Sequence, residues 1–157
     1  MSSTATNSPS RAEWPTWLEF SRCQIEHMCH MIVGAINNRD FNVNSDAWSV
    51  THEHFSAKAA FAQWPKETTL QELLRCYEDH TRLHPYYTLQ LQEVMIKIDE
   101  KKSIAKAFVN LLSDGIPPGK IRQSVGMLEF MWIDGKWCCS RYQCVPGMAP
   151  AAPGSCI

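Results

Sequence analysis

Two stretches of this sequence hold residues suited to moving a proton. Tyr77 and His80 are three apart, with His84 one turn later, in a run whose apolar residues recur with a helical period. An imidazole there works as acid or base near neutral pH, and a phenol beside it donates a hydrogen bond to a developing oxyanion. In the second stretch, Glu129 is the sole carboxylate of the apolar run from Ile121 to Ile133. Arg141 follows on the next run. A guanidinium on an apolar face must pair with an anion or reach water, so Arg141 either holds a substrate enolate or carboxylate or forms a salt bridge at a pocket rim. His52-Glu53-His54 is a third cluster. On a strand its two imidazoles share one face and Glu53 takes the other, too few ligands for a zinc site, so no metal is expected. Phe130, Trp132, Trp137, Tyr86 and Tyr87 are aromatic enough to wall a cavity for a flat or polycyclic ligand, or to pack a core. Asn110 and Ser113 are either donors to substrate or exposed.

The elements that position these groups follow from periodicity and punctuation. From Trp14 to about Asn38 the pattern is helical, and Asn37-Asn38-Arg39-Asp40 ends it with residues that accept turn geometry. Residues 47–62 read either as the end of a short helix or as a strand beginning near Val50. Thr69 with Glu72 three residues on is a capping box opening a second helix, which Pro85 ends. Beyond Pro85 the period drops to two over 87–98, 104–112, 121–133 and 137–144. Asp134-Gly135 joins the last two as a two-residue hairpin turn. Counting back from that turn puts Trp132 opposite Trp137, Phe130 opposite Cys139 and Leu128 opposite Arg141 on one face. Met131 faces Cys138, Glu129 faces Ser140 and Met127 faces Tyr142 on the other. A β-bulge would change those assignments. Both faces are largely apolar, and a single-layer sheet covers only one with its own helices, so a homodimer through the sheet is expected.

Helices first and an antiparallel meander after them predict an α+β domain, and 157 residues suffice for one core. It is expected over 13–145, with a disordered N-terminal segment at 1–12 and a flexible tail at 146–157. The net charge of −1 and the scatter of fifteen Lys and Arg speak against a nucleic-acid partner. No apolar run approaches the ~20 residues of a membrane span. Seven cysteines without a CxxC pair, behind a polar N-terminus, predict reduced thiols and a cytoplasmic protein.

The order Asn37-Asn38-Arg39-Asp40-Phe41, His84-Pro85, Arg122-Gln123-Ser124-Val125-Gly126, Leu128-Glu129-Phe130 and Asp134-Gly135-Lys136-Trp137 resembles the SnoaL-like branch of the nuclear transport factor 2-like superfamily, closest to its small fungal natural-product members. The resemblance covers roughly residues 14–145. It implies a cone-shaped α+β barrel with N-terminal helices on a strongly curved antiparallel sheet, frequent dimers, and an apolar pocket serving cofactor-free enzymes or plain binding proteins. Cyclases and steroid isomerases of this kind carry a functional Asp where this chain has Leu128, so their mechanism does not transfer. The matching strand carries catalytic groups in several members, which makes His54 a pocket-lining candidate. The expected activity is a cofactor-independent isomerase or cyclase, with dehydration in the same proton-transfer class, on a small apolar polyketide or terpenoid-like polycycle. His80 or Glu129 would be acid/base, Arg141 or Tyr77 would hold the oxyanion, and Tyr77, His54, Phe130 and Trp132 would contact substrate. The alternative is a non-catalytic small-molecule-binding or protein-interaction module of the same fold.

Overall fold

The structure is a computed structural model that describes residues 16–58 and 67–146. The expected N-terminal segment at 1–12, and the expected tail at 146–157 apart from Pro146, which ends the last strand, lie outside the described residues. Two helices, α1 (Thr16–Asn37) and α2 (Leu70–Leu83), are followed or separated by six strands: β1 (Thr51–Lys58), β2 (Thr68–Thr69), β3 (Thr88–Asp99), β4 (Ile104–Asp114), β5 (Arg122–Ile133) and β6 (Lys136–Pro146).

Trp17, Ser21, Ile25, Met28, Cys29 and Ile36 recur with the helical period and form the buried stripe of α1. The helix stops where the sequence predicts, and the stop is a Schellman motif. Arg39 takes φ 59°, its N–H donates to Ile36 O, and Asp40 N–H donates to Ala35 O. The Arg39 guanidinium then donates to the carbonyls of Pro85 and Tyr87, while Asn37 exchanges two 2.8 Å bonds with the backbone of Leu89. The end of α1 is thereby clamped to the start of β3. The capping box of α2 is also present: Thr69 Oγ1 accepts from Glu72 N–H, and Glu72 Oε1 accepts from Thr69 N–H, together worth about 1 kcal/mol.

The ambiguous stretch resolves as strand β1 over Thr51–Lys58, and its residues 59–62 lie outside the described residues. The sheet is curved and unclosed, in the order β2-β1-β6-β5-β4-β3, so it is an open cone wall and not a closed barrel. Nor is it wholly antiparallel. β1 runs parallel to β6, because the chain passes through α2 and the whole meander before its last strand returns beside the first.

The β5–β6 turn is as expected: Asp134 and Gly135 have φ 52° and 79°, and Ile133 pairs with Lys136. Trp132 opposes Trp137, Phe130 opposes Cys139, and Met131 opposes Cys138. Beyond Cys139 the expected register fails. Ser140 is an extra residue, so Glu129 opposes Arg141 and Leu128 opposes Tyr142. The bulge sits where β1 joins, and the Cys139 N–H donates to Val50 O at 2.8 Å. One inserted residue exchanges faces for everything after it: Tyr142 turns inward and Arg141 outward.

The core lies between the helices and the concave face. Trp17, Trp132 and Trp137 meet at centroid distances of 5.4–5.7 Å and plug the hairpin end of the cone. Burying an aromatic side chain of this kind contributes about 1.5–3 kcal/mol. Among the described residues no helix is long and apolar enough to cross a membrane.

Candidate functional site

Away from the tryptophan plug the same concave face leaves a hollow. α1 contributes Cys29, Ile32, Val33 and Ile36 to its wall, and α2 contributes Leu73 and Tyr77. The sheet adds Leu89, Leu91, Val109, Leu111 and Leu128, with Cys139 and Tyr142 from β6, and the loop before β1 adds Trp48. The free space is about 50 Å³. Cavities that take benzene measure about 150 Å³, so a ring-bearing ligand must push partly buried wall residues such as Ile32, Val33 and Leu91 aside.

The polar groups of this wall are few. Thr51 Oγ1 donates to Trp48 O, and Trp48 Nε1 donates to Asp40 O. The phenols come from Tyr77 and Tyr142. Tyr142 owes its seat to Gly126, which fills the next inward position of β5 with no side chain. A Cβ there would stand 3.0 Å from Tyr142 Cε1 and 3.2 Å from Val109 Cγ2. Burial pushes the Tyr142 hydroxyl up to about 12 and the Tyr77 hydroxyl well above its ordinary value, so both stay protonated donors at any physiological pH. Behind them lies Tyr87, fully buried, its hydroxyl without a hydrogen-bond partner among the described residues and within electrostatic reach of Tyr142. The His80 ring meets the Tyr87 ring edge-on at 5.0 Å, and the His84 ring is also 5.0 Å away. Burial, aided by His84, lowers the His80 imidazole to about 4, so it is neutral at pH 7.

The structure brings together Tyr77 and, one ring removed, His80. The remaining sequence candidates sit elsewhere. Arg141, expected beside Leu128, is on the outer face because of the Ser140 bulge, where its Nη2 binds Glu67 Oε1 at 3.1 Å and Ser56 Oγ donates to the same oxygen. Glu129 is on that outer face too, in register between Lys106 and Arg141. His54 projects into solvent, 83% exposed, with His52 at 5.4 Å and Glu53 at 4.0 Å. Among the described residues no three His, Cys, Asp or Glu side chains cluster as metal ligands. Phe130 and Trp132 do point inward, but Phe130 is sealed in the core at 0% exposure and Trp132 belongs to the tryptophan plug, so neither lines the hollow. Tyr142, Cys29 and Trp48 line it instead. The inward turn of Tyr142 has no local sequence signal, whereas the inner stripe of α1 marks Cys29.

Similarity to solved structures supports this architecture. A protein of Novosphingobium aromaticivorans with a cystatin-like fold superposes with TM-score 0.66 over 89% of this chain and 90% of that one, at 13% identity. The fold is the nuclear transport factor 2-like cone. A second Novosphingobium aromaticivorans structure with this cone, provisionally described as a scytalone dehydratase, gives TM-score 0.64 at 12% identity over 84% and 89% of the two chains. A nuclear transport factor 2-like protein from Cytophaga hutchinsonii gives 0.59 at 15% over 80% and 98%. No protein-family profile and no curated protein sequence matches the chain. At these identities the likeness is one of fold, and fold alone does not fix a function.

Proposed function

We propose that this chain is a cofactor-independent isomerase or cyclase, with dehydration in the same class, acting by proton transfer on a polyketide or terpenoid-like intermediate in the hollow of the cone. The observation that carries this reading is the pair of phenols, Tyr77 buried and Tyr142 partly buried, on an otherwise apolar wall with the neutral His80 imidazole behind them. Phenols held protonated by burial stabilise charge growing on a substrate oxygen, and a low-dielectric wall makes each such bond stronger than in water. His80, one ring behind the wall, is the base nearest the hollow in this reading, and a carbon-bound proton must reach it past Tyr87. The provisional dehydratase among the fold neighbours supports the reaction class. The sequence resemblance supports placement beside the small fungal members. Cys23, Cys29, Cys76, Cys138 and Cys139 are free thiols, which accords with work in the cytoplasm.

The test is deuterium exchange from solvent into the benzylic carbon of phenylacetone, followed by NMR with the purified chain. Exchange above the buffer rate supports the assignment; its absence favours the second reading, a binding module, which draws on the lack of carboxylate or imidazole directly on the described wall. The pH profile carries its own signature. With a folded value near 4 for His80, exchange should hold level from pH 8 to 5 and fall as the imidazole protonates near 4. A midpoint near the ordinary histidine value of about 6.5 would exclude His80 as the base.

The same proposal includes a homodimer through the outer face. Met95, Phe108, Met127 and Met131 lie on this face, Met95 and Met131 being exposed, and a trough runs between Met95, Phe108 and Val125. Light scattering is expected to give twice the chain mass at micromolar concentration, and Phe108→Asp to give a folded monomer. A wild-type monomer would remove the interface.

A further inference from the structure

We infer that the hollow admits only uncharged ligands and recognises them through a single oxygen acceptor, so this protein acts after any carboxylate or diphosphate of its substrate has been lost or masked. The inference rests on the hollow being the site proposed above and deepens that reading by fixing the charge of what enters.

No described wall residue carries a charge at neutral pH. Its ionisable members are the Tyr77 and Tyr142 phenols and the Cys29 and Cys139 thiols, and burial pushes all four upward, Cys29 to about 12. Arg141, the cation that the sequence offered to an anionic ligand, is committed elsewhere, and so is Arg39. Arg141 is outside on Glu67, and Arg39 is spent on the carbonyls of Ile36, Pro85 and Tyr87. A carboxylate or phosphate moved into such a wall loses its hydration and gains no counter-charge. A neutral carbonyl loses far less and gains a phenol donor.

A second observation points to an acceptor. The Tyr87 hydroxyl is fully buried with no hydrogen-bond partner among the described residues, next to the His80 ring and in the field of Tyr142. Buried hydroxyls are almost always hydrogen-bonded, and this one, which is not itself on the described wall, leaves an unfilled donor in the layer next to it.

The chemistry upstream follows. A terpenoid skeleton reaches this protein only after a reaction that expels diphosphate, and a polyketide only after its terminal carboxyl has been cyclised, esterified or removed.

Three probes of matched shape separate the terms: phenylacetone, phenylacetate and isobutylbenzene. Because they displace the wall alike, differences among them report polarity alone. Titrating the full chain at pH 7 by calorimetry, phenylacetone should bind about 10-fold tighter than isobutylbenzene and at least about 100-fold tighter than phenylacetate. Tyr142→Phe should erase the preference for ketone over hydrocarbon. Phenylacetate binding as tightly as the ketone, a ketone no better than the hydrocarbon, or no binding of phenylacetone up to its solubility would each overturn the inference. Ketone preference without deuterium exchange leaves this inference standing and sinks the enzymatic reading. Exchange together with tight phenylacetate binding does the reverse.

Discussion

Tyr142→Phe lowers the rate of deuterium exchange into phenylacetone by about 100-fold while the protein keeps its melting temperature within a few degrees. The magnitude is that of removing one preorganised donor from an oxyanion site, which costs about 10²–10³ in kcat. The phenyl ring still fills the space above Gly126, so the packing there survives and only the hydroxyl is lost. A structural role would give the opposite pattern, a lower melting temperature with kcat nearly intact in the folded fraction. Circular dichroism and the exchange assay on one preparation distinguish the two.

Gly115→Ala lowers the melting temperature by roughly 10 °C, whereas the same change at Gly34 raises it. Gly115 closes β4 at φ 116°, where a side chain is strained, and a Cβ there would stand 2.5 Å from Tyr87 Cα and 2.6 Å from the Tyr86 carbonyl. Those are backbone atoms of a segment tied down by Arg39, so they have little room to yield. Strain and overlap together cost at least about 3 kcal/mol, hence the size of the shift for a domain of this length. Gly34 sits in α1 with nothing within 4 Å of its would-be Cβ, and alanine there gains about 1 kcal/mol of helix propensity. Calorimetry on both variants checks the sign. A Gly115→Ala protein as stable as the parent would mean that the 115–121 loop does not rest on Tyr86 and Tyr87 as described.

What the sequence discloses here is local, and what it conceals depends on distant backbone. The Thr69/Glu72 box, the Arg39 helix stop and the Asp134-Gly135 turn are each specified within a few residues, and each forms as read. The Ser140 bulge is set by Val50, almost ninety positions away, whose carbonyl takes the Cys139 N–H. No hydrophobic alternation announces it, because Ser140-Arg141-Tyr142-Gln143 fits either register. The error therefore falls on the site: Arg141 is read inward and Tyr142 outward, the reverse of their places. Phe130 and Trp132 are read onto the correct face but the wrong depth. How far along β5 the core gives way to the hollow is fixed by where Trp17 of α1 comes to rest, which strand periodicity does not encode.

The account turns on which side of the sheet does the work, and exchange into phenylacetone measured side by side for Tyr142→Phe, Arg141→Ala and Glu129→Ala decides it. Arg141 and Glu129 are partly exposed outer-face residues, and removing such charges changes stability by about 1 kcal/mol or less, so all three variants fold. The account predicts parental exchange rates for Arg141→Ala and Glu129→Ala and a deep loss for Tyr142→Phe. A dead Arg141→Ala or Glu129→Ala protein beside an active Tyr142→Phe protein would contradict it.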